Sequence, residues 1–380
     1  SLGGATPTKI EAPVQDVTKS EEASPPTSMV TATTPPTPTG TPVPPSPTPE
    51  PTETIVVEAV LPAAEIAFIG ADGNLWQVNR ESGEREQLSS DAAPFQANSD
   101  QVAINYCCPQ WSSDGQLLAY RRDVSSPIES GYQTEHALWL TDLSSGESWP
   151  LLEGQPVLGF DWQPGTHKLA YGHPIEMEYF MDRSVGESSE LATGIWLVDA
   201  AGGDPYELVP PERGYALVGP NWSPDGRFLG FDEVLHMEGR GQFAYFDFET
   251  QVYMAWDDVI GSYSWSVDGE QLAYDRLSYV PTGGERIWLN SRLGGEEQAL
   301  TPEYEQGFAF QPLFSPQEEH LAYLAEINGL ESLQYNLFVM GLPGGESINL
   351  GVFDRVQGLS WTPDGKRLLF SACLLYTSDA

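Results

Sequence analysis

One pattern recurs six times along this chain and sets what it can fold into. An aromatic residue leads a short polar turn at Trp111-Ser112-Ser113-Asp114-Gly115, Trp162-Gln163-Pro164-Gly165, Trp222-Ser223-Pro224-Asp225-Gly226, Trp265-Ser266-Val267-Asp268-Gly269, Phe314-Ser315-Pro316-Gln317 and Trp361-Thr362-Pro363-Asp364-Gly365. The spacing runs from 43 residues (Trp222 to Trp265) to 60 (Trp162 to Trp222). Repeats of this length build propellers or solenoids. Pro followed by Asp suits the centre of a type I turn, and the Gly after them accepts φ > 0. Each copy therefore reverses the chain between two strands, and its aromatic is large enough to fill the wedge between neighbouring sheets.

The rest of each unit follows the same plan. After the turn comes a strand ending in Leu118-Ala119-Tyr120 or a relative: Leu169-Ala170-Tyr171, Leu229-Gly230-Phe231, Leu272-Ala273-Tyr274, Leu321-Ala322-Tyr323 and Leu368-Leu369-Phe370. Another strand, such as Leu138-Trp139-Leu140 or Ile195-Trp196-Leu197, leads to a Gly/Glu-rich turn and a closing strand such as Tyr206-Glu207-Leu208. Four strands per unit, with no helical period between them, predict radial blades around a channel. Alternating strand direction then puts the Ser-Pro-Asp-Gly and Gly-Gly-Glu turns on one face. The variable segments Arg121 to Ala137, Gly172 to Gly194 and Ser90 to Tyr106 fall on the other.

These residues resemble the TolB-like propeller family, a WD40-like group whose mark is a WSPDG repeat. Similar repeats occur in the N-terminal propellers of prolyl-oligopeptidase-type peptidases. The resemblance covers about residues 60–372 and implies an all-β propeller of four-stranded blades, six in number, with seven open for the native chain. It is specific for fold and not for function, because the same repeat serves scaffolds, binding modules and gating domains. Two copies depart from the motif, at Gly165-Thr166 and Gln317-Glu318, which puts those turns in question.

The first unit, Ile66-Ala67-Phe68-Ile69 and Leu75-Trp76-Gln77-Val78, has no anchor before it. Leu359-Ser360-Trp361 is expected to supply its innermost strand and close a six-bladed ring. Arg367-Leu368-Leu369-Phe370 continues as a strand that such a closure does not need. Residues 373–380 read like a translated transposase-adapter sequence. They are expected to be non-native, with a native seventh blade or further domain lost. The domain plan is thus a linker at 1–58, a propeller at 59–372 and a foreign tail at 373–380.

The linker carries thirteen prolines between Pro7 and Pro51, interleaved with Thr, Ser and Glu. Proline removes the amide donor and fixes φ, so this stretch is expected to be a solvated, extended stalk. Ser1-Leu2-Gly3-Gly4 before the Thr/Pro tract resembles the residues that follow the lipidated Cys of a bacterial lipoprotein. An N-terminal lipid anchor and an extracytoplasmic, bacterial location are expected on that ground. No run of eighteen apolar residues predicts a transmembrane segment.

A formal net charge of -38 argues against nucleic acid and anionic lipid as partners. Dispersed acidity keeps a protein soluble and is expected to keep this one monomeric. No G-x-S-x-G elbow, H-E-x-x-H or phosphate-cradling loop is present, so the chain is read as a non-enzyme. No cofactor is expected, with a structural Ca²⁺ left open. The expected partner is a protein, peptide or glycan. Any ligand is placed on the variable face: at the channel mouth with Cys107, Cys108 and Asp161, and on the loops with Glu176, Tyr179, Phe180, Asp182, Glu233 and His236. Cys107 and Cys108 are adjacent and would not easily stay reduced in an exported protein, which leaves a strained vicinal disulfide open. They serve either as a rigid floor for a ligand pocket or as two small apolar residues lining a channel wall. A gating propeller of a serine peptidase is the rival to the binding module.

Overall fold

The computed structural model describes residues 65–373 except 80–81, 97–99, 130, 153–154, 180–187, 211–214, 236–240, 277–285, 292–296, 303–306, 318, 328–333 and 363. The expected stalk and the residues after Cys373 lie outside the described residues. What is described is an all-β propeller.

The first unit has three strands, β1 (Glu65–Ile69), β2 (Leu75–Asn79) and β3 (Arg85–Gln87). The next is β4 (Ala103–Trp111), β5 (Leu117–Ile128), β6 (Gly131–Asp142) and β7 (Glu147–Pro150). Then follow β8 (Phe160–Trp162), β9 (Lys168–Tyr179), β10 (Ser188–Asp199) and β11 (Tyr206–Val209). The third full unit is β12 (Tyr215–Trp222), β13 (Phe228–Leu235), β14 (Gly241–Asp247) and the start of β15 (Val252–Trp265). β15 runs on as the innermost strand of the next unit, with β16 (Gln271–Arg276), β17 (Ile287–Ser291) and β18 (Gln298–Ala299). The last full unit is β19 (Phe308–Phe314), β20 (His320–Glu326), β21 (Tyr335–Gly341) and β22 (Ser347–Phe353). β23 (Arg355–Trp361) and β24 (Leu368–Cys373) form a two-stranded sheet.

The expected closure does not form among the described residues. Leu359, Ser360 and Trp361 belong to β23, which pairs with β24, while β1 pairs only with β2. The physical reason is loop length: β24 lies one tight turn away from β23, whereas β1 is almost the whole propeller away. Closing the short loop costs far less chain entropy.

The turn motif is built as its residues require. In the third full unit, Gly226 N–H donates to the Ser223 carbonyl at 2.8 Å, and Gly226 has φ 72°. The Ser223 hydroxyl donates to Asp225 at 2.5 Å and accepts the Phe228 N–H at 2.8 Å. Ser112, Ser266 and Thr362 repeat the pattern, and the equivalent serine is buried throughout. The questioned turn at Gly165-Thr166 keeps the closing bond, Thr166 N–H on the Gln163 carbonyl at 3.2 Å, but its left-handed residue, Gly165 at φ 68°, falls one position earlier than in the other copies. Glu318 lies outside the described residues.

The aromatics occupy the wedges. Trp222 and Trp265 are each 4% exposed. The indole N–H of Trp162 reaches the Gln110 carbonyl at 3.1 Å, that of Trp265 the Asn221 carbonyl at 3.3 Å, and that of Trp361 the Leu313 carbonyl at 3.1 Å. In each case the acceptor directly precedes the anchor of the previous unit, so the tryptophan staples sheet to sheet. The Trp111 indole N–H is enclosed and has no acceptor, in keeping with a first unit in which no innermost strand is seen among the described residues. The Trp222 indole also lacks one, and nothing in the structure explains why.

The two classes of turn share a face as expected. Leu143 N–H donates to the Gln116 carbonyl, Ala200 to His167, Phe248 to Arg227 and Leu342 to Glu319. These bonds tie the Asp-Gly turn of each unit to its own outer turn.

Candidate binding site at the bulged end of the inner strands

At the end opposite the turns, each inner strand is kinked. The residue three positions before the anchor aromatic is left-handed in five units: Cys108 (φ 60°), Gly159 (φ 76°), Gly219 (φ 63°), Gln311 (φ 54°) and Gly358 (φ 63°). Strand registers shift at the same place, between Cys107 and Gln110, Val218 and Asn221, Phe310 and Leu313, and Gln357 and Ser360. In the β15–β16 pair the shift falls between Ile260 and Tyr263. This is a β-bulge repeated around the ring, and bulges re-aim side chains and free backbone amides. Glycine fills the left-handed position three times because it lacks a Cβ to clash.

Cys107 and Cys108 occupy this bulge in the β4 strand and are joined by a disulfide. The vicinal bridge that the sequence left open is present, and it spans the ordinary and the left-handed residue of one bulge.

Three carboxylates approach the bulges. Asp275 accepts the Ser262 N–H and the Gln311 N–H, both at 3.1 Å, and the Ser262 hydroxyl. It thereby clamps the bulges of two neighbouring units. Asp232 holds the same repeat position, the residue after the Leu-Ala-Tyr relative. Its neighbour at the bulge is Gly219, which has no hydroxyl to offer. A Cβ placed on Gly219 would lie 3.9 Å from the Asp232 carboxyl. Asp232 is left without a hydrogen bond, and burial, followed by the nearby Asp275 charge, pushes its pKa up to about 7. Asp161, next to the anchor Trp162, accepts the Trp222 backbone N–H at 2.7 Å. Burial raises its pKa to about 7 against that bond and the Trp162 amide. Both carboxyl residues retain partial solvent exposure while packed deep, as expected of groups that line a channel. The Tyr263 hydroxyl lies against Gly230, two residues before Asp232 on β13, where a Cβ would come within 2.9 Å of it. It is enclosed, has no hydrogen-bond partner, and its pKa is raised by burial and then by the charges of Asp232 and Asp161.

No family model matches the sequence. The uncharacterized peptidase YuxL of Bacillus subtilis (strain 168) is 26% identical over 205 residues, which cover 51% of this chain and 27% of YuxL. The solved structure of a putative TolB from Agrobacterium tumefaciens is 16% identical, with a TM-score of 0.49, and covers 77% of this chain and 95% of that one. A prolyl endopeptidase structure, also 16% identical, gives a TM-score of 0.56 over 77% of this chain and 41% of that one. The chain has a β-propeller fold. It resembles the propeller domains of prolyl-oligopeptidase-type peptidases, and it spans well under half the length of YuxL and of the prolyl endopeptidase.

The propeller scaffold gathers some of the sequence-derived candidates and separates others. Cys107, Cys108 and Asp161 lie on inner strands at or beside the bulges. Glu233 does not join them. It is buried within its own sheet, where it accepts Gln242 Nε2 at 2.8 Å and the Tyr253 hydroxyl at 2.9 Å. Glu176 and Tyr179 lie on β9, paired with Leu191 and Ser188 of β10. The segment expected to be a loop is thus a ribbon that carries the ladder outward, and Arg121 to Ala137 does the same in β5 and β6. Phe180, Asp182 and His236 lie outside the described residues. Among the described residues no group of three or more His, Cys, Asp or Glu is arranged to hold a metal ion. Asp232, Asp275 and Tyr263 were missed in the sequence. The signal that could have found them is the alignment of the bulge position, where Gly recurs opposite Cys108.

Proposed function

We propose that this propeller is an extracytoplasmic, non-catalytic binding or scaffold module for a protein, peptide or glycan, and that it takes its ligand on the bulged face. One observation carries the reading. The polar groups of the turn face are largely engaged within and between the turns, whereas the bulged face holds Asp161, Asp232 and Tyr263 with their capacity unfilled. The same face receives the long β5–β6 and β9–β10 ribbons, and varied segments on a rigid scaffold are where binding concentrates.

The test is binding to peptide and glycan arrays by the full chain and two variants. Glu176→Lys, on a ribbon, should change the captured set, and Asp204→Lys, in an outer turn, should leave it unchanged. If only Asp204→Lys altered capture, the face would be wrong.

The match to part of YuxL favours a second reading, in which the propeller gates access to a serine-peptidase domain of a longer protein. Hydrolysis of peptide substrates by the product of the complete gene, but not by this chain, would support it.

A further inference from the structure

Each full unit lays a third strand along the outer edge of its second. The last sheet does not: β24 pairs with β23 alone among the described residues. In four of the five full units that third strand reads aliphatic–aromatic–aliphatic, as Leu138-Trp139-Leu140, Ile195-Trp196-Leu197, Ile287-Trp288-Leu289 and Leu337-Phe338-Val339. Its aromatic pairs with the tyrosine of the Leu-Ala-Tyr strand: Trp139 with Tyr120, Trp196 with Tyr171, Trp288 with Tyr274 and Phe338 with Tyr323. Both rings turn towards the preceding unit, and Phe338 stacks on Tyr323 at 5.2 Å. The four tyrosines are buried, whereas Phe370, which holds that position in β24, is 36% exposed.

The sheet in front of Phe370 shows the matching vacancy. Leu300, the residue after the one paired with Trp288, is buried in a cluster with Phe338, Met340 and Leu342 of the next unit. Leu350 holds the same place, after the Asn349 that pairs with Phe338, and it is exposed, as is Ile348. Between them and β24 runs a groove of about 730 Å³, lined by Val339, Ile348, Leu350, Trp361, Leu368 and Phe370. It reaches the turn residues Gln317 and Asp364, at the end opposite the bulges. Beyond it the same two sheets are already packed, with Leu324 and Leu337 against Val356. The groove is the outer half of an interface that the other units complete with a third strand.

We propose that this groove docks an extended aliphatic–aromatic–aliphatic segment of a partner protein, which adds to β24 as a strand and places its aromatic ring between Phe370 and Leu350. The chemistry of the occupant is the chemistry that fills the same place four times within the molecule. A sheet edge offers a row of backbone donors and acceptors, and strand addition uses them for affinity while the groove selects the side chain. An aromatic ring on a strand covers a large apolar area and needs few fixed torsions. A second copy does not suit the groove. Pairing β24 with its own copy about a two-fold axis would put both last full units on one side of the joined sheet, over the same strands. The groove and the bulged face are separate sites, and neither needs the other.

Fluorescence anisotropy tests it with a labelled, end-blocked peptide of the sequence Arg286–Ser291, titrated with the full chain. The peptide should bind saturably, and alanine in place of its tryptophan should weaken binding about tenfold or more, as loss of an aromatic anchor does. Ile348→Glu and Leu350→Glu, both at exposed positions in the groove, should each weaken it to a similar extent. Tyr206→Glu, exposed on β11 of another unit, should change nothing. Far-UV circular dichroism and a melting scan establish that each variant is folded. Methylating alternate peptide nitrogens distinguishes strand addition from a side-chain contact. One alternating set should abolish binding and the other leave it, since only one edge of the added strand meets β24. No binding up to millimolar peptide, equal binding of the alanine peptide, or tolerance of both methylated sets would each overturn the proposal. A dimer in sedimentation velocity that Leu350→Glu dissolves would also overturn it, because the occupant would then be a second copy.

Discussion

The two ends of the inner strands use the same residue type in opposite ways. At the turn end, Asp247 carries an Arg227 pair at 3.0 Å and accepts backbone N–H groups from Glu249 and Thr250. Burial works against it, yet those bonds hold its pKa at about 2. Asp114, in another turn, is likewise lowered: burial opposes, and Ser112, the Gln116 amide and His167 prevail. At the bulged end Asp161 and Asp232 are pushed up to about 7, because burial is not repaid by partners. The turn end is satisfied by its own motif and stabilises the ring. The bulged end keeps unmet polar capacity and costs stability. That is the division expected between scaffold and site.

The largest effect should come from the wedge that both ends share. Trp222→Ala removes a large buried side chain packed against Phe248 at 4.8 Å between ring centroids. It should cost about 3–5 kcal/mol in denaturant unfolding. A loss below about 1 kcal/mol would show that the anchors are not core and would remove the scaffold half of the comparison.

The bulged end should respond with the opposite sign. A carboxyl at about 7 when folded and 3.8 otherwise keeps its proton in the folded state through the pH range where the unfolded chain has lost it. Stability should therefore fall as pH rises from about 4 to 7 and level off above. Asp232→Asn and Asp161→Asn should each stabilise the chain at pH 8 by about 1–3 kcal/mol, a figure reduced from the full shift because the channel admits water. Their stability–pH curves should be flatter over that window. Destabilisation by both variants at pH 8 would mean that the carboxylates are already partnered.

Much of the turn end was legible in the sequence, and little of the bulged end was. Ser-Pro-Asp-Gly states its own geometry, because Ser223, Asp225 and Gly226 bond within six residues of one another. The shared face of the two turn classes followed from strand alternation alone. The bulge is also local, and Gly159, Gly219 and Gly358 mark it, but a left-handed position names no partner. Asp232 and Asp275 are identical in sequence context, each following the Phe or Tyr of its repeat. What distinguishes them is the bulge each one faces: Ser262 of its own unit and Gln311 of the next reach Asp275, and Gly219 offers Asp232 no hydroxyl. The expected pairing of Leu359-Trp361 with β1, not seen among the described residues, was hard to read for a related reason, since pairing between distant strands leaves no mark in either one.

A smaller effect sharpens the turn end. Ser223→Ala removes the hydroxyl that accepts the buried Phe228 N–H. Losing that buried bond should cost about 1 kcal/mol. Ser113→Ala, at an exposed neighbouring position that accepts only the Gly165 amide at 3.0 Å, should change little. Equal losses from the two would mean that the buried hydroxyl has no special part in the turn.

The smallest effect is also the cleanest mirror of the bulged end. Asp247 has a folded pKa below its free value, so its contribution is complete above about pH 4 and is lost as pH falls through 4 towards 2. Arg227 is partly exposed and screened, which reduces the contribution to about 1 kcal/mol at pH 7. Asp247→Asn should cost that amount at pH 7 and nothing near pH 2, the reverse of Asp232→Asn in both sign and pH window. Added salt should shrink the Asp247 effect, because its partner is a surface guanidinium. The same salt should leave the Asp232 effect largely intact, because desolvation rather than a paired charge dominates there. Chemical denaturation of the two variants in urea, from pH 2 to 8 at low and high salt, measures all four quantities. Curves that moved in the same direction with pH would erase the distinction between a satisfied end and an unsatisfied one.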